Sequence, residues 1–353
     1  MPPRVDTVLH IGTGKTGTTT IQRVLARSRE VLAEGGTLYP RAFGRQRHLG
    51  FGFFVLPDPQ LVRSPEWLRA GNADVDPDEF RRKVRRRLRR ELTPDVRRLL
   101  ISDEGLYRRN ASTVARVRKF TEARGGATRV VIYLRRQDDH LVSNYQQVVK
   151  GGEIRRIGDW ANSELDYVYD FHSHLARWRD NLGPATFVVR TFEPERFVGG
   201  SIVADFLDAA GVDVDESTLV PQERRNESLC AEAVEVLRLL NVHGVEQRGA
   251  RAGLIINSDH VRRLHQVAGP VLTMPEADLD RFQSRWEASN QAIAREFLDR
   301  ADGELFGSPR RREGMTTEQV LAPERLDHYL DLLEIPADDR PGIRAVAERE
   351  AGS

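Results

Sequence analysis

A short segment rich in glycine and threonine carries the residues best suited to bind an anion. It reads Gly12-Thr13-Gly14-Lys15-Thr16-Gly17-Thr18-Thr19, follows an apolar run, and leads into a pattern that places Ile21 and Leu25 on one helical face. The free backbone N–H groups and the dipole of a helix start both favour negative charge. Lys15 adds a cation, and the threonines add hydroxyl donors. The spacing predicts a loop between strand and helix that binds a phosphate-like group.

Two carboxylates follow a second apolar run. Residues 98–104 read as a buried strand that runs into two carboxylates, Asp103 and Glu104. In doubly wound sheets, residues just past the carboxyl end of a strand face the ligand crevice. Asp103 and Glu104 are therefore expected either to take part in acid–base chemistry or to cap the helix that follows.

A third apolar run ends in an arginine. Residues 129–134 read as a strand, Arg135 stands at its end, and Ser143 lies eight residues later on a helix that begins near Asp138. A guanidinium and a hydroxyl so placed can converge on one phosphate. A purely structural role for Arg135 is the competing interpretation.

Alternating strand and helix patterns must position these residues. Strands are predicted at 5–11, 98–104, 129–134 and 186–190, and helices at 18–34, 79–92, 112–124, 159–182 and 200–210. This order predicts an α/β fold, a three-layer parallel sheet flanked by helices, with a mostly helical C-terminal part. Residues 41–78 are predicted to be irregular. One domain is expected over 1–308, followed by a polar C-terminal extension at 309–353 that is partly helical or mobile.

Composition narrows the function classes. The 353 residues carry a net charge of +1, so no global field draws the chain to nucleic acid or to a membrane surface. No apolar run approaches the roughly 20 residues of a membrane span. The single cysteine, Cys230, excludes an intramolecular disulfide and predicts a cytoplasmic location. The arginine-rich pattern at 79–92 predicts an amphipathic helix whose basic face is either solvated or binds a polyanion.

A nucleotide-dependent kinase is one interpretation of the loop. Gly14-Lys15-Thr16 fits the end of the pattern G-x-x-x-x-G-K-[ST], but the first glycine of that pattern falls at Leu9. Asp103, at the end of its strand, is where such an enzyme can bind magnesium. The missing glycine counts against this phosphotransferase and leaves it as an alternative.

The segment Gly12–Thr19 resembles the 5′-phosphosulfate loop of sulfotransferases that use 3′-phosphoadenosine 5′-phosphosulfate (PAPS), most closely carbohydrate, heparan-type and bacterial members. Arg135 and Ser143 resemble the 3′-phosphate motif of that family, and Glu104 resembles the catalytic glutamate of its heparan-type members. A looser likeness covers Arg224-Arg225-Asn226, where the family often has a basic segment. The resemblance implies the P-loop NTP hydrolase-like sulfotransferase fold, PAPS as donor, PAP as product and no metal.

The resemblance also implies residue roles. Lys15 and Glu104 are expected to be catalytic, as the stabiliser of the leaving group and as the base. PAPS binding is expected from Gly14, Lys15, Thr16, Gly17, Thr18, Thr19, Arg135 and Ser143. The acceptor is expected to be a saccharide, a glycolipid or a small metabolite, with His48 and Arg41 as candidate contacts, because loops after the first strand–helix unit often bind substrate. His10 is expected to be structural. A non-catalytic nucleotide- or polyanion-binding protein is the third interpretation, and the oligomeric state stays open.

Overall fold

The computed structural model describes residues 4–221, 228–248, 258–310 and 313–351. Its strands are β1 (Val5–Gly12), β2 (Thr37–Leu38), β3 (Arg98–Ser102), β4 (Gly125–Leu134), β5 (Thr186–Thr191), β6 (Val271–Leu272) and β7 (Met315–Thr316). Its α-helices are α1 (Thr18–Arg27), α2 (Arg29–Glu34), α3 (Leu49–Val55), α4 (Asp58–Leu61), α5 (Pro65–Arg69), α6 (Pro77–Glu91), α7 (Ala111–Glu122), α8 (Gln137–Lys150), α9 (Ile157–Ala161), α10 (Asp166–Tyr169), α11 (Phe171–Leu182), α12 (Ile202–Ala210), α13 (Ala231–Arg248), α14 (Ser258–Leu264), α15 (Glu276–Ser284), α16 (Glu287–Leu298), α17 (Pro323–Leu332) and α18 (Arg340–Ala351).

The main sheet is parallel and has the strand order β2-β3-β1-β4-β5. Strand β1 is central, with β3 on one side and β4 on the other. The loop that follows β1 therefore emerges between the carboxyl ends of β3 and β4, the edge at which open parallel sheets bind ligands. The sheet thus brings the three predicted strand-end motifs to one edge.

Helices cover both faces of this sheet, as the alternation of side chains along each strand requires. Leu9, Ile101 and Ile132 point into one apolar core, which α3, α6, α7, α11 and α16 complete. Val8 and Leu100 point into the opposite core, which α1, α2 and α12 complete. The predicted three-layer α/β fold with a parallel sheet and a helical C-terminal part is therefore confirmed.

Three predicted segments differ from the structure. The helix expected over 18–34 is interrupted at Ser28, whose buried hydroxyl accepts a hydrogen bond from the backbone N–H of Val220 (2.9 Å). The segment 41–78 is not wholly irregular, because α3, α4 and α5 form there and bury Phe51 and Trp67. The helix expected over 159–182 is divided into α9, α10 and α11.

The chain divides into two compact units. The first comprises Met1–Arg135, Asp166–Glu223 and Glu287–Ser308, and contains the main sheet. The second comprises Arg136–Leu165, Arg224–Trp286 and Pro309–Ser353, so the residues predicted as a separate extension belong to it. Within the second unit, the buried Arg238 pairs with Glu235 (2.6 Å) and with Glu350 on α18 (2.9 Å).

Within the described ranges, no helix combines the length and the apolar character that crossing a membrane requires.

Candidate functional site

The loop after β1 starts in direct contact with Glu104. Gly12 has a φ of +111°, and a Cβ atom at this position would lie 3.0 Å from both Cα and Cβ of Glu104. Only glycine tolerates both this backbone conformation and this approach. The loop therefore begins against the residue that follows β3.

Threonine side chains fix the path of the loop. The backbone N–H and the hydroxyl of Thr13 both donate to the carbonyl oxygen of Tyr133 on β4, at 2.9 and 3.0 Å. The hydroxyl of Thr16 donates to the carbonyl of Thr13 (2.6 Å), and the Thr16 side chain is fully buried. The hydroxyl of Thr16 is thus committed to the loop itself, so its predicted role in PAPS binding is left to the backbone N–H.

The second half of the loop presents the start of α1. Gly17 precedes the helix with a φ of 76°, and a Cβ atom there would lie 2.9 Å from Cγ1 of Ile202. No side chain caps α1, and its first turn contains no acidic residue. A Cβ atom on Gly14 would meet nothing within 4 Å, so the space beside Gly14 is open. Thr18 is buried and Thr19 is exposed. The N–H groups and the positive dipole end of α1 suit an anion.

Arg135 contacts the loop. Its Nη1 donates to the carbonyl oxygen of Lys15 at 3.2 Å, and its guanidinium lies 5.7 Å from the ring centroid of Phe192. Lys15, half-buried, has a φ of 60°, an uncommon backbone conformation outside glycine. Ser143 is half-buried on α8, which belongs to the second unit, so its convergence with Arg135 stays a prediction.

Two side chains hold the carboxylate of Glu104. Nε2 of Gln22, on α1, donates to Oε2 of Glu104 (2.9 Å), and Nη1 of Arg47 lies 3.0 Å from Oε1. The Glu104 side chain keeps 25% of its surface exposed, so the carboxylate is oriented but still reached by solvent. A fixed, accessible carboxylate of this kind can accept a proton from a ligand.

Asp103 has a different role from its neighbour. Its carboxylate is fully buried, accepts from Nε of Arg47 (2.7 Å) and caps the 3₁₀ turn Glu104–Leu106 by accepting from the N–H of Gly105 (3.0 Å). Burial raises the pKa of Asp103, and the Arg47 guanidinium opposes that rise. The capping role considered from the sequence is thus confirmed for Asp103.

The two histidines near the site are structural. His10 is buried on β1 and its Nδ1 lies 2.8 Å from the hydroxyl of Ser102, as its expected structural role requires. The ring of His48 is fully buried and its Nδ1 accepts from the backbone N–H of Ser102 (3.1 Å), and its expected contact with an acceptor stays a prediction. Burial lowers the pKa of each ring to about 3, so both stay neutral.

Arg41 is exposed, and its backbone N–H donates to Oε2 of Glu91 (2.6 Å). Its predicted contact with an acceptor stays a prediction. The basic segment Arg224-Arg225-Asn226 lies outside the described residues.

Sequence reasoning missed Gln22 and Arg47. Gln22 could have been recognised, since it is a polar residue beside Ile21 on the buried face of an amphipathic helix. A buried polar side chain needs a partner, and a strand-end acid is a natural one. No sequence pattern points to Arg47, because it lies among other arginines in a segment without periodicity.

Comparisons with known proteins are sparse. No protein-family model matches the chain. An uncharacterized protein of Archaeoglobus fulgidus is 26% identical over 254 residues, and the match covers 71% of this chain and 63% of that protein. The chain thus spans less than two thirds of the length of this relative. The crystal structure of a sulfotransferase from Alicyclobacillus acidocaldarius matches with a TM-score of 0.38 and 17% identity, over 71% of this chain and 97% of that one.

Proposed function

We propose that the chain is a PAPS-dependent sulfotransferase that transfers a sulfuryl group to a hydroxyl or an amine of a saccharide, a glycolipid or a small metabolite. The observation that carries this proposal is the packing of Gly12 on Glu104, which sets a strand-end carboxylate beside the start of an anion-binding loop. Binding an anion alone needs no oriented carboxylate at the edge of its site. Transfer to a hydroxyl needs one, because a proton must leave the acceptor.

The residues present fit an anionic donor. The start of α1 has no side-chain cap and no acidic residue, the space beside Gly14 is open, and Lys15 and Arg135 add two cations. PAPS, when bound, supplies an activated sulfuryl group on a 5′-phosphate and carries a second phosphate at its 3′ position. In this proposal Lys15, Gly14 and residues 16–19 hold the 5′ end, and Arg135 with Ser143 holds the 3′-phosphate.

In this proposal the residues of the chain have two catalytic roles, stabilising negative charge and accepting a proton. Lys15 and the N–H groups at the start of α1 stabilise negative charge that develops on the leaving side. The carboxylate of Glu104 accepts the proton from the acceptor hydroxyl or amine. Gln22 and Arg47 are positioning residues, since each holds one of the two carboxylate oxygens of Glu104.

The structure does not favour Asp103 as the magnesium ligand of the kinase alternative. Asp103, the residue expected to bind magnesium, is fully buried and pairs with Arg47. Among the described side chains, no group of three or more His, Cys, Asp or Glu residues is arranged to hold a metal ion. The segment Gly14-Lys15-Thr16 is the feature that still supports a phosphotransferase.

The test is a comparison of two variants with radiolabelled PAPS and a panel of saccharide and phenolic acceptors. Glu104→Gln is expected to lower turnover at least about a hundredfold while PAP still binds, because only the base is lost. Lys15→Met is expected to lower both turnover and PAP affinity. If Glu104→Gln keeps wild-type turnover, Glu104 is not the base. If no acceptor is sulfated by the wild type and PAP does not bind, the proposed function fails.

A further inference from the structure

A pocket lies within the first unit, lined by residues other than those of the candidate site. It has a volume of about 420 Å³, within the range of small-molecule sites, and none of its lining residues belongs to the loop or contacts Glu104. Its floor is apolar and partly aromatic, formed by Phe54, Val84, Leu88 and Phe120 from α3, α6 and α7.

The lining includes Arg124, at the amino end of β1, and Phe43, from the segment that also contains Arg41 and Arg47. The carbonyl oxygen of Arg124, one of its lining residues, accepts from the backbone N–H of Val5, the first residue of β1 (3.0 Å). Strand β1 has 8 residues, and the loop follows its far end. This length places Arg124 about 23 Å from the loop. A ligand beside Arg124 is thus distinct from the proposed donor.

Cations surround the apolar floor. The lining includes Arg85, Arg89, Arg116, Lys119 and Arg124 but no carboxylate. Within the described part of the chain, none of these five forms a salt bridge. Their neighbours on the same helices do, since Lys83 pairs with Glu79 and Arg118 with Glu122, each at 2.7 Å.

The rings and the cations are in contact. The guanidinium of Arg124 lies 4.4 Å from the ring centroid of Phe120, and that of Arg85 lies 5.3 Å from the centroid of Phe54. Nε of Arg124 is buried without a hydrogen-bond partner among the described residues. Positive charge at the rim of an apolar pocket attracts a ligand that is apolar at one end and anionic at the other.

We propose that this pocket binds a single-chain amphiphile with an anionic head group, a fatty acid or an alkyl sulfate. In this proposal the alkyl chain of the ligand packs on Val84, Leu88 and the aromatic rings, and its head group lies among the arginines. Two of these cations, Arg85 and Arg89, belong to the basic face predicted from the sequence for helix 79–92. The structure adds the apolar floor, which a polyanion such as heparin does not use.

Calorimetric titration of the full chain with decanoate and decyl sulfate, below their micelle concentrations, tests this proposal. Affinity is expected to rise by about fourfold for each added methylene between octanoate and dodecanoate, because each buries apolar surface. Inorganic sulfate and decyltrimethylammonium are expected not to bind. Decanoate binding alone identifies a carboxylate site, decyl sulfate binding alone a sulfate site, and either supports the proposal.

Matched charge reversals separate the pocket from the general charge of the helix. Arg85→Glu/Arg89→Glu is expected to weaken decanoate at least about tenfold. Arg86→Glu/Arg90→Glu makes the same charge change on α6 outside the lining and is expected to change affinity less than about twofold. Ala123→Trp, at an exposed lining position, is expected to block the chain without disturbing the core.

Three patterns of binding overturn the proposal. They are an affinity that does not depend on chain length, an equal loss in both charge-reversal variants, and competition by heparin that matches competition by decanoate. Each of these indicates surface electrostatics rather than an amphiphile pocket. Absence of binding by both decanoate and decyl sulfate overturns it as well.

Discussion

The side-chain amide of Gln22 donates to a carboxylate oxygen of Glu104 (2.9 Å) and to the hydroxyl of Ser102 (3.2 Å). Gln22 lies one turn into α1, the helix that follows the loop Gly12–Gly17, and Glu104 follows β3. One buried side chain thus fixes the proposed base relative to the loop. In the proposed mechanism this link matters, because a misplacement of about 1 Å can cost a hundredfold in rate.

Gln22→Leu is expected to lower kcat between about tenfold and a hundredfold, because Glu104 loses one of its two positioning contacts. The KM for PAPS is expected to change less than about threefold, since Gln22 does not touch the donor in the proposal. Steady-state kinetics with a sulfated acceptor measure both constants. A rise in KM with unchanged kcat would show that Gln22 serves donor binding instead.

Gln22→Glu is the matched variant of similar size. It places a second carboxylate beside Glu104, and two such groups that share a site raise the pKa of the pair. A base acts only when deprotonated, so the acidic limb of the kcat profile is expected to move to higher pH. An unchanged profile would mean that Glu104 is not the group that titrates in turnover.

Arg47→Met is expected to destabilise the protein by about 1–3 kcal/mol at neutral pH, because the buried carboxylate of Asp103 loses a hydrogen-bond donor and its positive charge. Burial already raises the pKa of Asp103, so the native state favours the protonated form as the pH falls. The destabilisation by Arg47→Met is therefore expected to shrink below the pKa of Asp103. Urea unfolding at several pH values measures this difference.

Asp103→Asn provides the control for Arg47. The amide removes the buried charge and can still accept from the N–H of Gly105, so the double variant is expected to be more stable than the sum of the single effects predicts. Strict additivity of the two substitutions would contradict the ion pair as the source of stability.

His48→Asn is expected to keep turnover within about threefold of wild type, because His48 is a buried acceptor for the Ser102 N–H and an amide oxygen can replace it. The folded-state pKa of His48, about 3, lies below its unfolded value of 6.5. Its contribution to stability is present above pH 6.5 and is lost as the pH falls toward 3. His48→Leu is expected to flatten that loss while costing about 1–3 kcal/mol. A hundredfold loss of turnover in His48→Asn would make His48 the base.

Much of the sheet could be predicted from the sequence, and less of the site. Parallel strands buried on both faces leave continuous apolar runs, so β1, β3 and the second half of β4 were recognisable, together with Lys15, Glu104 and Arg135 at their ends. The partners of Glu104 were not, since Gln22 and Arg47 reach it only through tertiary packing. The burial of His48 also depends on tertiary packing, since its ring centroid lies 4.2 Å from that of Tyr39. The spacing of residues along the sequence does not reveal such a contact.

Arg135→Ala is expected to weaken PAPS at least about tenfold more than adenosine 5′-phosphosulfate, which lacks the 3′-phosphate. Arg136→Ala is the control, because this neighbouring arginine carries the same charge and pairs with Asp138 (2.9 Å). Competitive titration measures both donors. Equal weakening of the two by Arg135→Ala would indicate that Arg135 supports only the loop, through its bond to the Lys15 carbonyl.

In the proposed function, the loop and Arg135 bind a nucleotide with a 3′-phosphate through fixed cations, without a metal ion. Calorimetric titration with PAP and with ADP, each with EDTA and with magnesium, tests it most directly. PAP is expected to bind at least about tenfold more tightly than ADP without metal, and Lys15→Met and Arg135→Ala are each expected to weaken PAP. Binding of ADP that equals that of PAP and requires magnesium would contradict the claim and favour a phosphotransferase.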